Sequence, residues 1–243
     1  MLRRLALAAL ATLALTTSAG AEENDSTLRF VPGSDLVTID PHWTGAYITR
    51  DYGYMVYDTL FALDHQYRPH PQMVESWTAS EGGLVWEFRL RDKLQFHDGQ
   101  KVRAADVVAS LKRWGQRNDA YGQALLAAAA SIDALDDSRF RIALKSPFPV
   151  IDALATLTSP TPFILPERIA QTDAFTQIKD PTGSGPFKMV LSEWQAGHKI
   201  VFARNMDYVP RAEPPDGASG GKSRRSIASS GSTFPTRSPR LRP

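Results

Sequence analysis

The stretch LVWEFRLRDKLQFHDGQKVRAADVVASLKR, Leu84–Arg113, decides how this 243-residue chain is read. Leu84, Trp86, Phe88 and Leu90 alternate with Val85, Glu87, Arg89 and Arg91, and a period of two predicts a strand with one buried face. His97-Asp98-Gly99 predicts a chain reversal. Ala104–Trp114 then places Val107, Val108, Leu111 and Trp114 on one helical face. Asp106 suits the positive N-terminal end of that helix, and Gly115 is the expected stop.

Outward from this unit the signals are shorter. Leu28-Arg29-Phe30-Val31 reads as a strand ended by Pro32-Gly33, and Thr38-Ile39-Asp40-Pro41 starts a turn. Tyr54, Tyr57, Leu60 and Phe61 have helical spacing within Asp51–Phe61, and Pro69 to Trp77 reads as a connector. Ala120–Ala130 predicts a second helix from its alanine content. Phe140, Ile142 and Leu144 predict a strand, and Pro147-Phe148-Pro149 leads into a helical segment through Leu157. Phe163-Ile164-Leu165 reads as extended core and Gly183-Ser184-Gly185-Pro186 as a turn. Phe187, Met189 and Leu191 alternate, as do Ile200 and Phe202, so a hairpin is expected there. No internal repeat is visible, and the expected class is α+β.

A hydrophobic fraction of 42% and a charged fraction of 22% exclude wholesale disorder and collagen-like order. With no cysteine there is no disulfide scaffold, thiolate metal site or cysteine nucleophile. The formal net charge is +2, but Arg3, Arg4, Lys222, Arg224, Arg225, Arg237, Arg240 and Arg242 sit at the two ends. Without those eight, 20 basic residues face 26 acidic ones, so the middle carries −6 and a nucleic-acid reading fails. Met1–Ala21 reads as a secretory signal peptide. Arg3 and Arg4 give a positive n-region, Leu5–Leu15 an apolar run too short to span a bilayer, and Ala19-Gly20-Ala21 a small-x-small cleavage site. The mature chain is expected to be exported and soluble from Glu22. Ser223–Pro243 is rich in Ser, Arg and Pro, the composition of a disordered basic tail. A sharper expectation is a frameshift. With suitable codons, one extra nucleotide after the Lys222 codon makes the neighbouring frame a Val-, Trp-, Tyr- and Ile-rich strand.

Reactive centres find little support. Gly217-Ala218-Ser219-Gly220-Gly221 matches G-x-S-x-G, but a nucleophile elbow needs a strand before the serine and a helix after it. Here Pro214-Pro215 precede it and a polar tail follows, so a flexible linker is the expectation. Gly221-Lys222-Ser223 has Asp216 where a phosphate-binding loop needs its first glycine, and Gly183-Ser184-Gly185 has Lys188 where a dinucleotide fingerprint needs its third. His42, His65, His70, His97 and His198 contain no i,i+4 pair, and Asp136-Asp137 lies in a loop. No metal, cofactor or catalytic residue is expected.

The Leu84–Arg113 stretch resembles family 5 solute-binding proteins, the dipeptide and oligopeptide receptors of bacterial ATP-binding-cassette importers. Their signature is a strand of the type W-x-F-x-L-R, then F-H-D-G, then T-A-x-D-V-x-x-S. Further matches run in order: Thr38–Pro41 resembles L-D-P, Val56–Phe61 resembles Y-E-x-L, and Pro71–Trp77 resembles P-x-L-A-E-S-W. Pro181–Phe187 resembles P-V-G-T-G-P-Y, and Asn205–Tyr208 resembles N-p-d-Y. The resemblance runs from about Leu28 to Lys222. Arg103 departs from the usual Thr or Asn, which puts the helix N-cap in question.

The resemblance implies the first lobe of a type II (cluster C) periplasmic binding protein, with a mixed sheet and an inserted α/β subdomain. Residues 22–52 would open the lobe, 53–180 form the insert and 181–222 return to it, with 223–243 a tail. Full-length relatives are about twice as long, so the second lobe would be missing and binding weak. The implied role is that of the periplasmic component of a peptide importer. It would capture a peptide or other small solute without chemistry and, as a monomer, deliver it to an inner-membrane ABC permease. The loop after the first strand faces the cleft in this family, which makes Thr38, His42, Trp43 and Thr44 the candidate ligand contacts. Two other readings are a secreted hydrolase using Ser219 and an exported module acting through its basic tail.

Overall fold

A computed structural model describes residues 27–29, 33–158, 160–196 and 198–222. The expected signal peptide, the basic tail, its frameshift reading, and Phe30 and Val31 of the first expected strand lie outside the described residues.

The strands are β1 (Thr27–Arg29), β2 (Asp58–Thr59), β3 (Phe61–Leu63), β4 (Pro69–Pro71), β5 (Val74–Ser80), β6 (Val85–Leu90), β7 (Ala129–Ala134), β8 (Arg139–Leu144), β9 (Phe163–Ile164), β10 (Phe187–Met189) and β11 (Val201–Arg204). The helices are α1 (Tyr47–Val56), α2 (Ala104–Arg117), α3 (Gly122–Ala128), α4 (Val150–Leu154) and α5 (Glu167–Ala170). A four-stranded sheet has the order β5-β6-β8-β7 and a three-stranded sheet the order β1-β11-β10. The pairs β2–β9 and β3–β4 complete the set. All these pairings are antiparallel, so the expected mixed sheet is not seen among the described residues.

Two apolar clusters result. The first lies under α2: Phe88, Phe140 and Ile142 from the sheet meet Val107, Leu111 and Trp114. Phe88 and Phe140 stack with centroids 4.8 Å apart, and buried Trp114 satisfies its indole N–H at the Pro160 carbonyl, 2.7 Å away. Burying each such side chain is worth about 1.5–3 kcal/mol. The second cluster gathers Ile48, Tyr52 and Val56 of α1 with Phe163, Phe187 and Phe202.

The strand–turn–helix reading holds, and its surroundings differ in instructive ways. Helix α2 runs through Gly115, because that glycine serves packing: a Cβ there would lie 2.6 Å from the Leu126 side chain. Asn118 ends the helix and turns the chain, accepting the amides of Ala120, Tyr121 and Gly122. Arginine has no acceptor, so at the other end only half a capping box forms: the Asp106 carboxylate accepts the Arg103 N–H at 2.7 Å. The expected Asp51–Phe61 helix instead spans Tyr47–Val56. At Tyr57 the chain becomes extended, and Asp58–Thr59 pairs with Phe163–Ile164. The expected connector contains β4 and β5. Val74–Ser80 is an edge strand exposed beyond Val74, so no buried alternation marks it in the sequence. The second helix stops at Ala128, where Ala129–Ala134 joins β8, and the helical segment after Pro149 stops at Leu154. Leu191 leaves the hairpin for a 3₁₀ turn.

Gly183–Gly185 is a seam rather than a turn. It lies against the end of α1, where a Cβ on Gly183 would sit 2.0 Å from the Val56 carbonyl oxygen. The Gly185 N–H donates to that same carbonyl at 2.9 Å. The expected flexible linker at 217–221 is also packed: Gly217 adopts φ +58° against the backbone of Asp64, the Ala218 N–H donates to the Leu63 carbonyl, and the Gln72 side-chain amide donates to the Gly220 carbonyl.

Candidate functional site

Loop 34–46 runs from the first strand to α1 and is tied down by one buried ion pair. Arg113 projects from the buried face of α2, and its Nη2 donates to Asp40 Oδ2 at 2.8 Å, both side chains being essentially inaccessible. The same nitrogen donates to the Thr176 carbonyl. Asp40 also accepts the N–H groups of His42 and Ile178. A buried carboxylate needs such partners, since desolvation without compensation costs several kcal/mol.

The four candidate contacts divide between interior and surface. Thr38 is buried, donating its hydroxyl to Gln177 and accepting the Asp40 N–H. His42 is fully buried, and its Nε2–H donates to the Phe163 carbonyl at 2.9 Å. Burial, reinforced by the Arg113 charge, lowers its pKa to about 3, so the ring is neutral. Trp43 and Thr44 are half-buried at the surface. The Arg117 guanidinium lies 4.4 Å from the Trp43 ring centre and donates to the Trp43 carbonyl, and Thr44 Oγ1 accepts the Ala46 N–H. Phe175, 63% exposed, shares that side, its ring 5.2 Å from Arg117, and Val37 of the same loop is 71% exposed. Sequence reading missed Arg113 and Arg117. The available signal was a cation one residue before Trp114 on the buried face of α2, which demands a buried anion, and a second cation one turn later.

A second polar joint connects the two clusters. In the turn after β6, the His97 N–H donates to the Gly183 carbonyl, Nδ1 accepts the Gly183 N–H, and Nε2–H donates to the Gly185 carbonyl at 3.1 Å. These bonds require the neutral ring, and burial, with Lys188 nearby, lowers its pKa to about 4.

The remaining motifs are spoken for. The Ser219 hydroxyl donates to the Asp216 carbonyl, while the Asp216 carboxylate binds His65, and His70 pairs with Asp64. Lys222 donates to the buried Asp58, which also accepts the Tyr208 hydroxyl. Among the described residues no three His, Asp or Glu side chains converge as a metal site, and no helix is long and apolar enough to cross a membrane. A depression of about 470 Å³ runs between α2 and the segment after α5, lined by Val108, Lys112, Arg113, Gln116, Thr172 and Asp173.

This fold, an α+β lobe whose surface loop is pinned by a buried ion pair, is that of a type II periplasmic binding protein, of which the chain forms part of one lobe. The NikA protein of Brucella suis, solved in complex with Fe(III)-EDTA, superposes with a TM-score of 0.65 at 26% identity. The match covers 78% of this chain and 38% of that one. Residues 68–223 match the model of the bacterial extracellular solute-binding proteins, family 5, and the chain belongs to that family. It is 40% identical over 215 residues to a probable peptide ABC transporter periplasmic-binding protein of Sinorhizobium fredii, covering 88% of this chain and 40% of the relative. It is 31% identical over 156 residues to the nickel-binding periplasmic protein of Escherichia coli, covering 63% and 29%. The chain thus spans well under half the length of these curated relatives.

Proposed function

We propose that this chain supplies first-lobe structure of a periplasmic receptor that captures a peptide or other small solute and passes it to an inner-membrane ABC permease. The support is the family membership together with a loop, 34–46, held rigid from behind while Val37, Trp43 and Thr44 are presented outward. Trp43 and Thr44 are the proposed contacts at that surface; Thr38 and His42 hold the loop from inside. Capture needs no bond-making, only more contacts in the closed state than in the open one. In the proposed organisation, residues 22–52 and 181–222 belong to the lobe and 53–180 to the insert. Export by Met1–Ala21 would deliver the chain to the periplasm as a monomer.

One lobe leaves much of a ligand wet, whereas a closed cleft covers about 70–90% of it. Each lost factor of ten in affinity is about 1.4 kcal/mol. Isothermal titration of the purified chain with di- and tripeptides should therefore show binding weaker than micromolar. Micromolar or tighter affinity would overturn the one-lobe account.

A further inference from the structure

We propose that the surface around Trp43 selects solutes that carry a carboxylate beside a planar apolar group; this rests on the receptor reading above and narrows its ligand class. The observation behind it is a local charge excess. The chain between its basic ends is net acidic, yet two arginines bracket the surface stretch Trp43–Tyr47 with no carboxylate among the described residues at ion-pair distance. Arg117 touches the Trp43 ring, the Trp43 carbonyl and the Phe175 ring, and its Nε–H has no acceptor among the described residues. Arg50 lies over the Tyr47 ring and donates through Nη1 to the Leu157 carbonyl. Neighbouring Asp51 feels the Arg50 charge but makes no ion pair with it. Several exposed arginines elsewhere are ion-paired, as Arg89 with Glu75, Arg139 with Asp136, and Arg168 with Asp98 and Asp180, whereas Arg91 binds the Gln72 and Val209 carbonyls.

The backbone fixes Arg50 and Arg117 in place. Arg117 is bonded to Trp43, the adjoining Asn118 donates to the Thr158 carbonyl, and Arg50 holds the neighbouring Leu157 carbonyl. Both guanidiniums therefore flank one surface made of loop 43–47 and residues 157–158. Arg50, whose Nη1 is taken by the Leu157 carbonyl, keeps its Nε/Nη2 edge as a planar donor pair that fits a carboxylate, and Arg117 keeps Nη1 as a further donor. Trp43, Phe175 and Tyr47 add apolar surface beside these donors, Phe175 and Tyr47 being 63% and 73% exposed. A carboxylate with an adjacent aromatic or aliphatic group satisfies both features; a cation or a neutral sugar satisfies neither.

The test follows the Trp43 indole N–H and the Arg117 Nε–H by NMR in the full chain, titrated with N-acetylphenylalanine, its carboxamide, or inorganic phosphate. N-acetylphenylalanine should move both signals at millimolar concentration, about fivefold more tightly than the amide, and the difference should shrink with added salt. Arg117→Gln and Arg50→Gln should each reduce that preference, while Arg139→Gln on the far sheet should leave it. Equal binding of acid and amide, or a preference that survives Arg117→Gln, would overturn the inference. So would phosphate acting as well as the aromatic acid. Dipeptides that shift signals elsewhere on the chain would sink this site and leave the receptor reading standing. If no probe shifts any signal, this site falls, while the receptor reading, which expects only weak binding from one lobe, stands.

Discussion

The four-stranded sheet under α2 and the joint around loop 34–46 are held by different forces. The first is an apolar stack, in which Phe88, Phe140, Ile142 and Trp114 exclude water by area. The second uses directional contacts: the Asp40–Arg113 pair, neutral His42 and His97 bonded to carbonyls, and the Gly183 backbone against that of Val56. Apolar area is lost in proportion to the atoms removed, whereas a buried polar contact that loses one partner leaves the other desolvated. The surface that presents Trp43 is set by this second, less tolerant kind of contact.

The sharpest break should come from Arg113→Leu. It strands the Asp40 carboxylate with only the His42 and Ile178 amides as donors. The expected loss is about 3–5 kcal/mol in urea unfolding, with the double variant Arg113→Leu, Asp40→Leu recovering much of it. A loss under about 1 kcal/mol would show that the pair does not tie the joint.

Acid should separate the two regions next. His42 and His97 titrate near 3 and 4 in the fold and at about 6.5 in the unfolded chain. With the folded pKa lower, the unfolded state takes up protons first. Their contribution is complete above pH 6.5 and is lost as the pH falls toward 4. The slope is about 1.4 kcal/mol per pH unit for each histidine at most. Unfolding free energies measured from pH 7 to 4 should therefore decline, and His97→Gln should flatten the curve. A curve unchanged by that substitution would exclude His97 as a source of the slope.

Gly183→Ala probes the seam directly. Its Cβ would meet backbone oxygen at 2.0 Å, and backbone cannot swing aside like a side-chain tip. About 1–3 kcal/mol should be lost, the range of overpacking, with the Trp43 indole resonance displaced. A fully stable variant would mean that the α1 end and the 183–185 segment separate freely.

The difference between the regions also explains what could be read from sequence. Apolar periodicity is written in residue types, so β6, β8 and α2 were legible from Trp86, Phe88, Ile142 and Leu111. Edge strand β5 was not, because an exposed strand leaves no alternation. In the sequence Gly115 suggests a stop and Gly183 a turn, since glycine signals conformational freedom and close approach by the same absence of a Cβ. In the candidate site, Trp43 and Thr44 lie at the surface as their loop suggested. The partners that fix them, Arg113 and Arg117, are some 70 residues along the chain, and only the packing of α2 brings them together.

The smallest effect tests whether the regions are separate at all. Ile142 sits in mid-sheet opposite Trp86 and Ile132, fully buried. Ile142→Val removes one methylene, costing about 0.5–1.5 kcal/mol, and leaves every polar contact of the joint intact. Stability by urea should fall by that amount, while the Trp43 indole resonance and the pH slope between 7 and 4 stay as in the parent chain. The two clusters meet through His97 and Gly183, and α2 reaches loop 34–46 through Arg113, so strain in the sheet has two routes to that loop. If the methylene deletion shifts the Trp43 signal as far as Gly183→Ala does, one of these routes carries strain. Apolar area and polar joint would then form one cooperative body.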